Sequence, residues 1–132
     1  MYKNSVQTQE IDNLGHMNVQ YYVKHFIDSC TFNFKINNLT SKFRNLKEEL
    51  FLENITIRYL NEQRLGTPFL IDFYISKIEN ETIEVFQEMK NLETKKISAT
   101  ALSIYKFNLK RKKIKKEVEN FLLEYPNKYK AA

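Results

Sequence analysis

One stretch near the start of the chain repeats its apolar residues every three to four positions, and four stretches downstream alternate them with a period of two. The helical stretch opens after Asn18. Val19, Tyr22, Val23, Phe26, Cys30 and Phe34 fall on one face, while Gln20, Lys24, Asp28 and Lys35 fall on the opposite one. Asn18 stands where an N-cap belongs, with a side chain suited to accept first-turn amides. Downstream, Ile55, Ile57 and Tyr59 alternate with Thr56, Arg58 and Leu60. Phe69, Ile71, Phe73 and Ile75 alternate with Leu70, Asp72, Tyr74 and Ser76. Ile83, Val85, Gln87 and Met89 form a third set, and Ile97, Ala99, Ala101, Ser103, Tyr105 and Phe107 a fourth. Each set fits a strand that buries one face. Gly66-Thr67-Pro68, Glu79-Asn80 and Asn91–Lys95 read as turns. Two of these breaks are short, which predicts an antiparallel meander. Residues 2–10 read as an edge strand, and Ile114, Val118, Phe121 and Leu122 mark a short final helix with Pro126 beyond its end.

An aromatic-rich helical stripe needs a broad apolar partner, and the four strands supply one. Ala99 and Ala101 are small enough to let the helix come close to the sheet. The pattern therefore predicts an α+β layer architecture in one domain, residues 1–132, with one long helix on one face of a curved antiparallel sheet.

Composition adds bounds. A chain of 132 residues is large enough for a real core. Cys30 is its only cysteine, which excludes an intrachain disulfide and a thiolate zinc cluster, and points to a reducing cytoplasm. No apolar run approaches membrane-spanning length, and residues 1–20 lack the apolar core of a secretory signal, so no membrane partner is expected. The net charge of +5 is uneven, drawn largely from Lys106, Lys110, Arg111, Lys112, Lys113, Lys115 and Lys116. A solvated hairpin end and helix face account for that run. It carries none of the stacking motifs of RNA-binding modules, so no nucleic-acid partner is expected.

The chemistry concentrates in Asp12-Asn13-Leu14-Gly15-His16-Met17-Asn18-Val19, followed by Gln20-Tyr21-Tyr22. A carboxylate precedes a glycine turn, and the turn opens directly into the long helix. Side by side stand a group suited to nucleophilic or basic work and a helix N-terminus suited to hold negative charge. From spacing alone Asp12 reads first as a turn or capping residue that only starts the helix. His16 either orients Asp12, lines a pocket or is structural. Cys30 lies on the apolar stripe and reads as core. His16 and His25 are nine residues apart, not on one helical face, so no metal site is expected. No nucleophile elbow, phosphate-cradling glycine loop or dinucleotide fingerprint is present.

The chain resembles the hotdog-fold acyl-CoA thioesterases, in the 4-hydroxybenzoyl-CoA thioesterase-like branch. That family's pattern is an Asp, two variable residues, Gly-His, an apolar residue, Asn, often a second Asn, and then a Tyr. Asp12, Gly15, His16, Met17, Asn18 and Tyr22 match it in order and spacing. The resemblance continues through Tyr59-Leu60-Asn61-Glu62 to Gly66 and covers nearly all of residues 2–108. Gly-His-Met-Asn-Val with Tyr-Tyr-Val also resembles a sub-branch that includes betainyl-CoA thioesterases. Two positions depart from the pattern. Val19 replaces the second Asn, and Ile27 falls where an acidic residue is often found, with Asp28 one step on.

The resemblance implies hydrolysis of a small or medium acyl-CoA to the free acid and CoA. Asp12 would be nucleophile or general base, and the backbone N–H of Val19 the main oxyanion donor, a role that tolerates a changed side chain. His16 would assist Asp12. Gly15, Asn18, Tyr22, Arg58 and Glu62 would contact substrate, with Arg58, Arg64, Lys95, Lys96 and Arg111 as candidates for the CoA phosphates. No cofactor is expected beyond the CoA of the substrate. A homodimer or homotetramer is expected, with sheets paired edge to edge and the cleft completed by the second protomer. Two rival functions differ in class. One is a hotdog domain that binds acyl-CoA or acyl carrier protein without turnover, and the other a basic interaction module built on residues 106–116.

Overall fold

A computed structural model describes residues 1–36, 50–79 and 81–107. In chain order its elements are β1 (Tyr2–Ser5), a 3-10 turn (Thr8–Glu10), α1 (Val19–Ile36), β2 (Leu50–Tyr59), β3 (Pro68–Glu79), β4 (Thr82–Asn91) and β5 (Ile97–Phe107). The sheet runs β1-β3-β4-β5-β2, antiparallel throughout. Strands β3 to β5 form the predicted meander. The first strand of the alternating set does not join it in sequence order. Instead β2 crosses to the far edge and pairs with β5, Ile57 opposite Ala101 and Tyr59 opposite Ala99. The edge strand expected over residues 2–10 stops at Ser5, because Val6 instead pairs through its main chain with Gly66 and Thr67 and Thr8–Glu10 turns toward the helix. The short final helix expected around Ile114–Leu122 lies outside the described residues.

Helix α1 lies on the sheet face that carries Phe69, Ile71, Ile75, Ile83, Val85, Met89, Ala99, Ala101, Tyr105 and Phe107, all buried. One apolar cluster gathers around Cys30 and Phe34, where Phe34 meets Phe73 and Tyr105 edge to face. The other gathers around Tyr22 and Phe26, over Ala99 and Ala101. The small alanines sit where the sequence placed them, under the first half of the helix. Beside the apolar stripe the helix also buries His25, Ser29 and Asn33, at steps of four. Val19, at the head of the stripe, is 55% exposed.

Two bulges keep the apolar residues on one face, and a third buries Ser98. Leu52 and Ile55 are three apart, as are Ile75 and Ile78, which would put each pair on opposite faces of a regular strand. Register shifts between Leu52 and Asn54, and between Ile75 and Lys77, absorb the extra residue, so all four pack against the Cys30 and Phe26 clusters. A third shift, at Lys90 opposite Ile97 and Met89 opposite Ala99, leaves Ser98 unpaired in the ladder and fully buried. Its carbonyl accepts the amides of Leu60 (2.9 Å) and Asn61 (3.0 Å), and its hydroxyl donates to Gln63 Oε1 at 3.0 Å. This bulge fixes the segment that follows β2.

Cys30 is fully buried, and loss of water around the sulfur pushes its thiol up to about 12. Native protein is expected to leave a thiol reagent such as Ellman's unreacted at neutral pH, with one equivalent reacting after urea unfolding. Rapid labelling of folded protein would contradict the core placement.

Candidate active site

Residues 10–18 form a tight loop that delivers the chain into α1. Ile11 bridges to Met17, Asp12 N donates to His16 O at 2.8 Å, and Gly15 N donates to Asp12 O at 3.1 Å. The turn passes through Gly15 at φ 79°, a left-handed conformation that a side chain disfavours. The Asp12 side chain closes the same loop, since Oδ1 accepts the amides of Leu14 (2.8 Å) and His16 (3.1 Å). These two donors, His16 first and Leu14 second, hold the carboxyl below its ordinary value. Both bonds fall on Oδ1, which leaves Oδ2 for an incoming atom. One oxygen thus fills the turn-capping role, while the other takes no hydrogen bond among the described residues.

Beyond the turn the chain is held from two sides. Met17 N donates to Gln63 O at 2.7 Å, and His16 bridges to Arg64. Asn18 N donates to Glu10 O at 2.7 Å. Asn18 then caps the helix as expected, its Oδ1 accepting Gln20 N at 3.3 Å and its carbonyl accepting Tyr21 N at 2.9 Å. The amide of Val19, the first helical residue, takes no hydrogen bond among the described residues. The first turn also carries no acidic side chain. The helix start therefore keeps one open N–H and its positive partial charge.

A cleft of about 370 Å³ opens over this junction. Asp12 and His16 stand on one side, Met17, Asn18, Val19 and Tyr22 beneath, and Tyr59, Leu60, Asn61 and Glu62 on the other. The Tyr22 and Tyr59 rings meet edge to face, centroids 5.3 Å apart, and form one continuous aromatic wall. Burial raises both phenols, so both stay protonated at neutral pH. His16 Nε2 lies 3.3 Å from Glu62 Oε2 at the mouth. Asn61 Nδ2 donates to Ile97 O at 2.9 Å, which keeps its side of the cleft tied to β5.

Of the residues singled out from sequence, Asp12, His16, Asn18, Val19, Tyr22 and Glu62 converge on this cleft. Gly15 shapes the turn without lining it. Arg58 is exposed on β2, one step from Tyr59 and so on the opposite face of the sheet. Arg111 lies outside the described residues. Tyr59, Leu60 and Asn61 were not assigned a role from sequence, although they fall inside the quoted Tyr59–Glu62 stretch. Gln63 was missed as well. It is fully buried, joins Met17, Ser98 and Met89, and had no local sequence signal beyond its place between two turns. No group of three His, Cys, Asp or Glu side chains suited to a metal occurs among the described residues. No described helix is long and apolar enough to cross a membrane.

An ionised carboxylate oxygen beside an open helix-start amide can attack, or direct water at, a carbonyl carbon while the amide receives the oxygen's charge. No curated protein sequence matches the chain. Among solved structures, a probable thioesterase from Escherichia coli superposes with a TM-score of 0.83 at 14% identity, over 94% of this chain and 96% of its own. A hypothetical protein from Staphylococcus aureus, solved in complex with CoA, gives 0.76 at 18% identity over 99% and 92%. A 1,4-dihydroxy-2-naphthoyl-CoA thioesterase from Synechocystis gives 0.72 at 13% identity over 83% and 82%. These likenesses show a shared hotdog fold. The model of the thioesterase-like superfamily matches residues 6–123, and with that match the chain belongs to the thioesterase-like superfamily.

Proposed function

We propose that the protein hydrolyses the thioester of a small or medium acyl-CoA to the free acid and CoA. The observation that carries this reading is the pairing, on one cleft, of the Asp12 carboxylate with the unbonded amide of Val19. In the proposed mechanism the thioester oxygen rests against the Val19 N–H. Asp12 Oδ2 either attacks the carbonyl carbon, expelling the CoA thiolate and leaving a mixed anhydride for water, or takes a proton from water as water attacks. His16, held by Glu62, stands beside the reacting centre. Asn18 and Gly15 set the backbone under the substrate, and Tyr22 with Tyr59 forms the wall along which the acyl group lies. Because those rings pack on each other, they bound the acyl group from one side only. A betainyl group would need further aromatic faces to be caged. With Arg58 on the opposite face of the sheet, Arg64, Lys95 and Lys96 are the proposed contacts for CoA phosphates. The complex of the Staphylococcus aureus neighbour with CoA and the naphthoyl-CoA activity named for the Synechocystis neighbour support the choice of a CoA thioester.

We further propose a homodimer as the minimum working unit, with a tetramer as a further assembly. Val19, Tyr59 and Leu60 line the cleft yet are 55%, 47% and 48% exposed, which leaves its rim apolar and open. Strand β2 pairs with β5 on one side only among the described residues. An unpaired edge next to an open apolar rim suits a second protomer.

Three measurements test the mechanism. Asp12→Asn should keep the loop, because the amide oxygen still accepts from Leu14 and His16, and should lower kcat at least 100-fold. Thiol release across short, long, aromatic and betainyl CoA thioesters reads this out. Unchanged turnover removes Asp12 from the mechanism, and a wild-type chain that CoA esters stabilise without any thiol release is a binding domain instead. Val19→Pro deletes one N–H at the first helical position, where proline is tolerated. Helix content by circular dichroism should hold while kcat falls roughly 100- to 1,000-fold. The pH profile supplies the third. Asp12 acts ionised, and its two amide bonds hold it ionised below the ordinary carboxylate range. The acid limb of kcat/KM should therefore lie below that range, where protonation of Oδ1 also loosens the loop. A limb near neutrality would show that Asp12 is not the essential ionisation.

A further inference from the structure

Glu10 and His25 form a buried pair that the cleft chemistry does not use. They are 4% and 1% exposed. His25 Nε2 lies 2.7 Å from Glu10 Oε2, and Glu10 Oε1 accepts Gln7 N at 2.8 Å. On the far side of the ring, His25 Nδ1 lies 2.9 Å from the Tyr2 hydroxyl, which accepts Asn4 Nδ2 at 3.2 Å. The ring edge packs on Phe69, centroids 4.9 Å apart. Glu10 Oε2 can accept from Nε2–H, and the Tyr2 hydroxyl, while accepting from Asn4, can donate to Nδ1, so that each of these groups finds a partner. A buried carboxylate persists only where its oxygens are bonded in this way.

The place of the pair gives it a role. Glu10 precedes Asp12 by two residues. Its main-chain oxygen accepts Asn18 N at 2.7 Å, next to Val19, while its side chain reaches His25 six residues into α1. One residue thus grips the 3-10 turn that leads to Asp12, the helix start and the helix body. Sliding or rotating the helix would break one of these grips, and the same movement would change the gap between the Asp12 carboxylate and the Val19 amide. We propose that Glu10 and His25, with the Tyr2 hydroxyl holding the far side of the ring, are positioning residues that set this gap. The proposal rests on the thioesterase reading for its kinetic consequence, but not for its structural one.

The test uses the full chain and graded variants. Tyr2→Phe removes only the hydroxyl from a partly buried ring. Glu10→Gln keeps the volume and the Gln7 bond but offers an amide donor to Nε2, which drives the ring N–H to Nδ1. His25→Gln keeps a donor toward Glu10 and serves as the conservative partner of His25→Leu. Nitrogen-15 spectra of the imidazole should show the Nε2–H tautomer in the wild type and in Tyr2→Phe, and the Nδ1–H tautomer in Glu10→Gln. Amides of Leu14 and His16 should exchange about 10-fold faster in both variants while those of β4 keep their protection. With the best thioester, kcat should fall roughly 10- to 100-fold at nearly constant KM, and His25→Gln should retain more of it than His25→Leu. Wild-type exchange at Leu14 and His16 together with wild-type kcat in folded Glu10→Gln and Tyr2→Phe would overturn the proposal and leave the pair a stabilising contact only. Should Glu10→Gln and His25→Leu fail to fold, Tyr2→Phe and His25→Gln decide by the same readouts. A wild-type chain inactive on every thioester would sink the functional reading, while exchange and tautomer would still decide the positioning role.

Discussion

The structure around the cleft depends on one carboxylate oxygen. Asp12 Oδ1 takes the amides of Leu14 and His16, and without those bonds the turn between Ile11 and Met17 has no closing contact from its own side chains. The same bonds hold the carboxyl below its ordinary value, so protonation of the group in acid and loosening of the loop are linked. Oδ1 and Oδ2 thereby acquire different environments, one fixed by amides and the other facing the cleft. A glutamate would have one more methylene to order and would not reach back to amides two and four residues on with the same economy. That is a physical reason for an aspartate at this turn, independent of any family pattern.

The sheet contributes placement more than chemistry. The helix start is held over β3 and β5 by packing on Phe69, Ala99 and Ala101, and the opposite wall of the cleft is held by the Ser98 bulge. Without that bulge, Ser98 would point to the outer face of β5 and Gln63 would lose its hydroxyl partner inside the protein. Gln63 links both walls, with its carbonyl on Met17 and its side chain on Ser98 and Met89. An irregularity in the ladder is therefore what brings Tyr59–Glu62 to face Asp12–Val19.

The helix, the four main strands and the Asp12–Val19 junction were legible because each writes itself in local spacing. The 3.6 period from Val19 to Phe34 and the period-two sets need no distant information, and the Asp12–Val19 junction is an eight-residue signal. What was hidden depends on partners far apart in sequence. The passage of β2 to the far edge follows from pairing Ile57 with Ala101, forty-four residues on, and alternation alone does not name a strand's neighbour. Glu10 and His25 were hidden for a related reason. Each looks like an ordinary surface residue beside its neighbours, and only the fold brings them to 2.7 Å. His25, Ser29 and Asn33 at steps of four were the one available hint, a polar seam along the edge of the apolar stripe.

The openness of the cleft bears on how strong its electrostatics can be. Asp12 and the Val19 amide act through charge, and charge–dipole interactions weaken where water enters. In the single protomer Val19, Tyr59 and Leu60 stand about half exposed, so a thioester oxygen bound there would keep competing water. Covering that rim would do two things at once. It would bury apolar surface, which favours association, and it would dry the reacting centre, which strengthens the amide's hold on developing negative charge. The proposed dimer is on this argument a condition of the proposed chemistry. The force that joins two protomers at the rim is the same one that removes water from between Asp12 and the carbonyl it addresses.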